Sequence, residues 1–317
     1  MTNSESRRSL ALAGLGETKA LDALAALPGS ELSSFLLELA SRRSGSRTPA
    51  EVLRQFERDP FTAPSTVDAR KLVRAELRLL DAAAAFEAVE LSPLAPFGAC
   101  TSVAPTSQNR IVSTMRGTEV ASDSTNILAL ECARRLRRSP GQAIRLATCQ
   151  RVVRAQPIPR QPGYAQHFKL FALATAGLET KDHGFVVGAL LEQIRTLLAG
   201  LDALATDGYA LPPKRRIKVL ATPARAALAD RIADALRTEA SVERHPLEHP
   251  YYDGLRFMLD LVAADGSVVN LADGGAFTWV AKLTSNRRHT LVASGLGIQR
   301  LVDYAPEERA AGRGGWR

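Results

Sequence analysis

The sequence predicts an α+β fold, a mostly antiparallel sheet surrounded by helices, and three observations carry that expectation. Residues 18 to 85 and 190 to 236 hold apolar side chains mainly at helical spacing, whereas the last third switches to short strand-like runs. The runs Ile144 to Arg154 and Phe168 to Thr175 read as adjacent antiparallel strands joined by a long loop. The segment Arg216 to Pro223 reads as a strand entering a helix but carries no glycine-rich phosphate loop, so it signals a nucleotide fold only weakly, and mostly antiparallel strands with helices outside imply an α+β domain rather than a doubly wound parallel sheet.

Element by element, residues 18 to 43 read as amphipathic helices broken near Pro28-Gly29, where the pair favours a turn. Thr48-Pro49 caps and begins a helix bearing Val52, Leu53 and Phe56, and this N-terminal unit is expected to support the core. From Val67 to Ala85 the spacing of Leu72, Val73, Leu77 and Leu80 predicts a long helix with a buried face. Phe86 to Pro93 reads as a strand ending at the proline. Ser122 to Asn126 supplies N-caps for a helix over Ile127 to Leu136, so Asp123 and Thr125 have a structural reading as helix caps. Leu190, Leu191, Ile194, Leu197 and Leu198 form a buried helical stripe, and Thr222-Pro223 opens a helix running through Leu236. Phe257 to Val262, Ala276 to Ala281 and Thr290 to Ser294 read as strands separated by Asp-Gly turns, and Gly295, Gly297 and Arg300 lead into a short helix.

Composition bounds the function. At 317 residues and 45% hydrophobic, the chain can bury one large core with a smaller unit. A formal charge of +8 suits a polyanionic ligand such as nucleotide, tRNA or a phosphorylated metabolite, and equally a solvated basic surface. Cys100, Cys132 and Cys149 are too few and too widely spaced for a disulfide framework or a structural zinc motif, which implies a reducing, cytoplasmic setting. The early alanine-leucine segment ends at Glu17, and no uninterrupted apolar stretch reaches membrane-spanning length, so neither secretion nor membrane insertion is expected.

Three segments carry the chemistry: the tract from Arg154 through Arg160, Tyr164, His167 and Phe168 to Phe171; Tyr251-Tyr252-Asp253-Gly254; and Gly295 to Arg300. Arginines are suited to phosphate, and a loop rich in proline, glycine and arginine can close over it or serve as a surface hairpin. Tyrosine hydroxyls and an aspartate suit a small polar zwitterion. His167, in a Gln-His-Phe edge, has both a ligand-orienting and a structural reading.

In their shared order these segments resemble the core of a class II aminoacyl-tRNA synthetase of the histidyl type, over roughly residues 65 to 310. The resemblance implies that Arg154 contacts the α-phosphate of ATP and Arg300 the terminal phosphate. Phe168 and Phe171 match the aromatic positions beyond the loop, with Phe171 assigned to the nucleotide together with Gly295 and Gly297. It further implies an amino-acid pocket made by Tyr251, Tyr252, Asp123 and Thr125, ATP and magnesium as cofactors, and a homodimer formed through a first motif ending at Pro93. The domain expectation is a helical extension over 1–64 and a synthetase-like core over 65–317 that includes a small α/β segment around 180–245.

The departures from the family's pattern are as informative. Gln156 and Gln299 stand where that family has glutamates, Leu247 where the histidyl pocket motif has an arginine, and Ala276 where its glycine-rich element has one. Arg244 and His249 are candidates to compensate for Leu247. The lost carboxylates weaken the arrangement that holds ATP with magnesium. The 17 residues after Arg300 are too few for the anticodon-binding domain of histidyl synthetases, an organisation similar to the regulatory subunit of ATP phosphoribosyltransferase. The leading expectation is therefore a protein that binds an amino acid or related metabolite, with impaired adenylation and a regulatory role toward a catalytic partner. The alternatives are an ATP-dependent amino-acid ligase with a nonstandard acceptor and a tRNA-binding adaptor.

Overall fold

Two long antiparallel strands, Ile144–Val153 and His167–Leu178, form the spine of the sheet, and their apolar and small residues let each strand bury two faces. The computed structural model describes residues 18–158 and 164–305. It separates into two units, one running to Asp59 with Ser113–Thr118, the other comprising Pro60–Val112 and the chain from Glu119.

The first unit holds helices α1 (Thr18–Ala26), α2 (Gly29–Gly45) and α3 (Pro49–Phe56), and the break at Pro28 falls where the sequence puts it. Thr48 caps α3 in a reciprocal box: its Oγ1 accepts from Glu51 N at 3.3 Å while Glu51 Oε2 accepts from Thr48 N at 2.8 Å. Val52, Leu53 and Phe56 are exposed on α3.

The second unit begins with α4 (Ala69–Ala82), whose N-cap Asp68 accepts from Arg70 N at 2.7 Å. Its buried stripe is Leu72, Ala75 and Leu79; Val73 and Leu77 face solvent, so the apolar face the sequence suggests is partly wrong. Of the strand expected over Phe86 to Pro93, only β1 (Glu87–Ala88) forms, pairing in parallel with Leu146–Ala147. Short strands β2 (Leu94–Pro96) and β3 (Thr118–Val120) lie outside the main sheet. Then follow α5 (Ser124–Arg138), β4 (Ile144–Val153), β5 (His167–Leu178) and α6 (Gly184–Thr206). β6 (Arg215–Ala221), α7 (Ala226–Leu236), β7 (Ser241–Pro246), β8 (Leu255–Val262) and β9 (Val268–Phe277) come next. The chain closes with α8 (Trp279–Thr284), β10 (His289–Gly297) and α9 (Ile298–Tyr304).

The eight strands stand in the order β1-β4-β5-β10-β9-β8-β6-β7, antiparallel except for the parallel pairs β1–β4 and β6–β7 at the two edges. This is the α+β architecture the sequence predicts. Strand alternation sends Phe171 and Leu173 to one face, beneath Leu79 of α4 and Ile194, Leu197 and Leu201 of α6. Ala172 and Ala174 go to the other face, against Leu128, Cys132 and Leu136 of α5. Helix α6 is long and apolar enough to cross a membrane, yet it forms the centre of the first core. Its fully buried Gln193 donates to Thr175 Oγ1 and Val292 O, both at 3.0 Å, and accepts from Ser294 Oγ at 2.7 Å, which locks α6 to β5 and β10.

Two strand expectations need correction. Ala276 to Ala281 is not a strand: β9 ends at Phe277 and α8 begins at Trp279, with Thr278 at φ −86°, ψ 3° making the turn. The run reads as a strand because it is rich in aromatic and β-branched residues, but Phe277 and Trp279 pack on each other, ring centroids 4.0 Å apart, across that turn. An Asp-Gly turn forms at Asp265-Gly266, with Gly266 at φ +82°, whereas Asp273-Gly274 lies inside β9.

Candidate functional site

A cavity of about 320 Å³ lies where the N-terminus of α5 meets strands β5, β9 and β10. It gathers Asp123, Thr125, Arg154, Tyr251, Tyr252, Gly295, Gly297 and Arg300 from segments remote in sequence. Phe171 is not among the lining residues: it is fully buried in the core beneath α6. Alternation along β5 puts Phe168 and Leu170 on the cavity face instead, so the ring available to a ligand is Phe168. His167 also turns away, its ring nitrogens against Ala63 O at 2.7 Å and Arg151 Nη1 at 2.9 Å, which makes it structural. The expected contribution of Arg160 falls outside the described residues.

Asp123 serves two purposes. Its Oδ1 accepts from Thr125 N at 3.0 Å and Thr125 Oγ1 at 2.8 Å, capping α5, while Oδ2 lies 3.4 Å from Arg154 Nη2. Arg154 also donates from Nε to Ser122 O at 3.1 Å and lies over the Phe168 ring, 5.0 Å from its centroid. A guanidinium held on three sides keeps its orientation before any ligand arrives. Arg300, on α9, lies over the ring of Tyr164 at 5.0 Å. The fully buried Glu119, which does not line the cavity, accepts from the backbone N–H groups of Gly98 and Cys100, each at 2.9 Å. Burial works against its charge, but those two donors hold its carboxyl below the usual carboxylate range. No sequence motif marks Glu119.

Tyr251 and Tyr252 sit in an aromatic cluster, their centroids 5.1 Å apart, with Phe277 at 5.5 and 5.1 Å respectively. Burial pushes both phenols up, with Asp123 adding to the effect at Tyr251 and Asp273 at Tyr252, so both are hydrogen-bond donors at neutral pH. The glycine pair on β9 makes the space. A Cβ on Gly275 would come within 2.5 Å of Tyr252 Cδ1 and 2.3 Å of Leu255 O. The turn after Asp253 needs Gly254, which holds φ +72° with Thr222 Oγ1 against it.

Sequence reasoning missed Asp273, Arg256 and Asn270. Asp273 Oδ2 accepts from both Tyr252 Oη at 3.1 Å and Arg256 Nη2 at 2.7 Å, and the guanidinium lies 5.2 Å from the Tyr252 ring centroid. Arg256 is thus the cation beside the tyrosine pair where Leu247, buried in its own right, offers none. Arg244 pairs with Asp230 instead, and His249 accepts from Tyr251 N at 3.1 Å; neither lines the cavity. Ala276 is buried on the α6 side of the sheet. The signal that could have found Asp273 was its place on the cavity face of a glycine-rich strand.

The lining fits a nucleotide better than it fits magnesium. Arg154, Arg300, Phe168 and Tyr164 offer charge and aromatic faces to a phosphate and a base. A hard divalent cation wants free carboxylates. Asp123 and Asp273 are each engaged by an arginine, and Gln156 lines the cavity with an amide. Among the described residues no group of three or more His, Cys, Asp or Glu side chains is placed to hold a metal ion.

Sheet order and helical layers define a class II aminoacyl-tRNA synthetase-like fold. Among solved structures, the chain is similar to an ATP phosphoribosyltransferase regulatory subunit/histidyl-tRNA synthetase from Bacillus halodurans C at 14% identity, with TM-score 0.60, covering 78% of this chain and 83% of that one. Apo histidyl-tRNA synthetase of S. aureus aligns at 13% identity with TM-score 0.55 over 76% and 67% of the two chains. A histidine–tRNA ligase subunit from Alicyclobacillus acidocaldarius aligns at 15% with TM-score 0.55 over 78% and 96%. No family model matches the sequence, and no curated protein matches it.

Proposed function

We propose that this chain binds an amino acid or a related small metabolite in the cavity beside Arg154, as a regulatory paralog of a histidyl-tRNA synthetase-like core whose adenylation is impaired. The observation that carries the reading is that each cavity carboxylate is paired with an arginine through one oxygen, Asp123 to Arg154 and Asp273 to Arg256, with the amide of Gln156 beside them, a lining poor in free charge for magnesium but still able to accept from an ammonium. Asp123 would take the ligand's amino group and Arg154 its carboxylate, and the tyrosine hydroxyls would orient the remainder. At about 320 Å³ the cavity is at the small end for ligand sites, which suits an amino-acid-sized molecule. The three cysteines are free and buried, in keeping with a reducing, cytoplasmic setting. A homodimer is part of the reading, supported by exposed Val73 and Leu77, one turn apart on α4.

A second reading has one observation in its favour: Arg154 and Arg300 edge the same cavity, each against an aromatic ring, as an ATP-dependent amino-acid ligase would use them. The two readings separate in amino-acid-dependent ATP–pyrophosphate exchange with magnesium, run beside calorimetric binding of the same amino acids. Saturable binding that weakens in Asp123→Ala, without exchange, is the expected result. A specific exchange signal abolished by Arg154→Ala would replace it with the ligase reading.

A further inference from the structure

We infer that the amino acid bound in this cavity carries a second amino group on its side chain, held as an ammonium between Asp273 and Asn270, so that the ligand class is a diamino acid. This rests on the amino-acid-binding reading of the cavity and adds the identity of the side chain.

The argument begins with a break in strand register. Across β8 and β9, Asp260 faces Asn270 while Leu259 faces Ala272, so Leu271 is an extra residue, a bulge. Without it, Asn270 and Asp273 would point to opposite faces of the sheet; with it, both line the cavity. Bulges of this kind re-aim side chains, and this one brings two hydrogen-bond acceptors together.

Each of the two has an unused acceptor. Asn270 Nδ2 donates to Asp260 Oδ1 at 3.0 Å and to Ala272 O at 3.3 Å, which fixes the amide so that Oδ1 is its remaining group. Asp260 enforces that orientation, because it is itself buried and held by Arg216 and Lys218, each at 3.0 Å. Asp273 receives Tyr252 Oη and Arg256 Nη2 on the same oxygen, Oδ2. Among the described residues no donor reaches Asp273 Oδ1 or Asn270 Oδ1. Asp273 lines the cavity, whereas its paired cation, Arg256, does not.

Two acceptors without donors on one cavity face call for a ligand group that donates several hydrogen bonds and carries positive charge, which describes an alkylammonium with its three N–H bonds. A neutral aliphatic side chain would leave both acceptors buried and unmet on binding. With the α-amino group assigned to Asp123 and the carboxylate to Arg154, the side-chain ammonium goes to the Asp273 and Asn270 part of the same lining, and ornithine is the probe for it.

The test is calorimetric titration of the whole chain at pH 7.5 with ornithine and with norleucine, which replaces the terminal ammonium by a methyl group, and with histidine, whose ring is mostly neutral at that pH. Ornithine should bind about 10-fold or more tightly than norleucine, the margin of a charge-assisted hydrogen bond, and more tightly than histidine. Asp273→Asn should bring the ornithine and norleucine affinities within about threefold of each other, since the amide keeps the shape and loses the charge. Arg256→Gln provides a control of opposite sign: removing the cation that neutralises Asp273 should tighten ornithine. Norleucine or histidine binding as well as ornithine, or an undiminished margin in Asp273→Asn, would overturn the diamino-acid assignment while leaving the amino-acid cavity standing. Binding of no amino acid at all would remove both.

Discussion

Gly275 sets the shape of the cavity by having no side chain. The ideal Cβ position lies 2.3 Å from Leu255 O and 2.5 Å from Tyr252 Cδ1, so Gly275→Ala must move either the β8 backbone or the tyrosine ring. Overpacking of this kind costs about 1–3 kcal/mol. The expected outcome is a stability loss of that size in urea unfolding, with a larger proportional loss of ligand affinity because Tyr252 carries the hydrogen bond to Asp273. Unchanged affinity alongside unchanged stability would mean that the strand accommodates the methyl group and that Gly275 is not what positions the ring. The same residues show how far the site was legible in sequence. Asp123, Thr125, Arg154, Tyr251 and Tyr252 are read from short motifs, and all of them line the cavity. Asp273 and Asn270 are not so readable, because their shared face depends on a bulge at Leu271 that only the β8–β9 register reveals. Phe171 lies one residue off the parity of the cavity face, and an aromatic in a strand tells its type but not its face until pairing fixes it.

At the scale of the element, α5 presents Asp123 at its N-terminus, and its body is tied to the edge of the sheet by charge. Glu131 accepts from Arg134 and Arg135, each at 2.7 Å, and Arg135 reaches Glu87 on β1 at 2.5 and 2.8 Å. The Arg134 hydrogen bonds, against the cost of partial burial and with help from Arg135, lower the Glu131 carboxyl from 4.5 to about 2. A carboxyl lowered on folding stabilises the folded chain above its unfolded value, and that contribution fades as pH falls through the folded value. Glu131→Gln should therefore be less stable than the wild type at pH 6, with the gap closing between pH 4.5 and about 2; a gap independent of pH would show that the network contributes nothing through charge. Elements of this kind were legible where local chemistry decides them: the Asp123 cap of α5, the Thr48 box of α3 and the β4–β5 pair all follow from sequence. The run Ala276 to Ala281 was not, since its aromatic and β-branched composition suits a strand while the backbone turns into a helix at Trp279.

For the molecule as a whole, the open question is what covers α4. The periodicity of Leu72, Val73, Leu77 and Leu80 predicts an apolar face, but an apolar stripe in sequence does not say whether it is buried within the chain or against another one. The fold answers by splitting it: Leu72, Ala75 and Leu79 face the α6 core, while Val73 and Leu77 stand 62% and 58% exposed. Leu94 and Phe97, on the segment that follows Pro93, are also exposed, at 42% and 58%. Exposed apolar side chains that recur along one helix are the usual mark of an interface, and a second copy of this chain is the partner the homodimer reading supplies. Light scattering on the eluting protein should then give twice the 34.1 kDa of one chain. Leu77→Glu places a charge on the proposed interface without touching the core, so it should yield folded monomers with an unchanged far-ultraviolet spectrum. A wild-type chain that elutes as a monomer at micromolar concentration, or a Leu77→Glu variant that stays dimeric, would leave α4 without this partner. Because Val73 and Leu77 are not part of the cavity lining, ligand binding measured on the monomeric variant also reveals whether the site is complete within one chain.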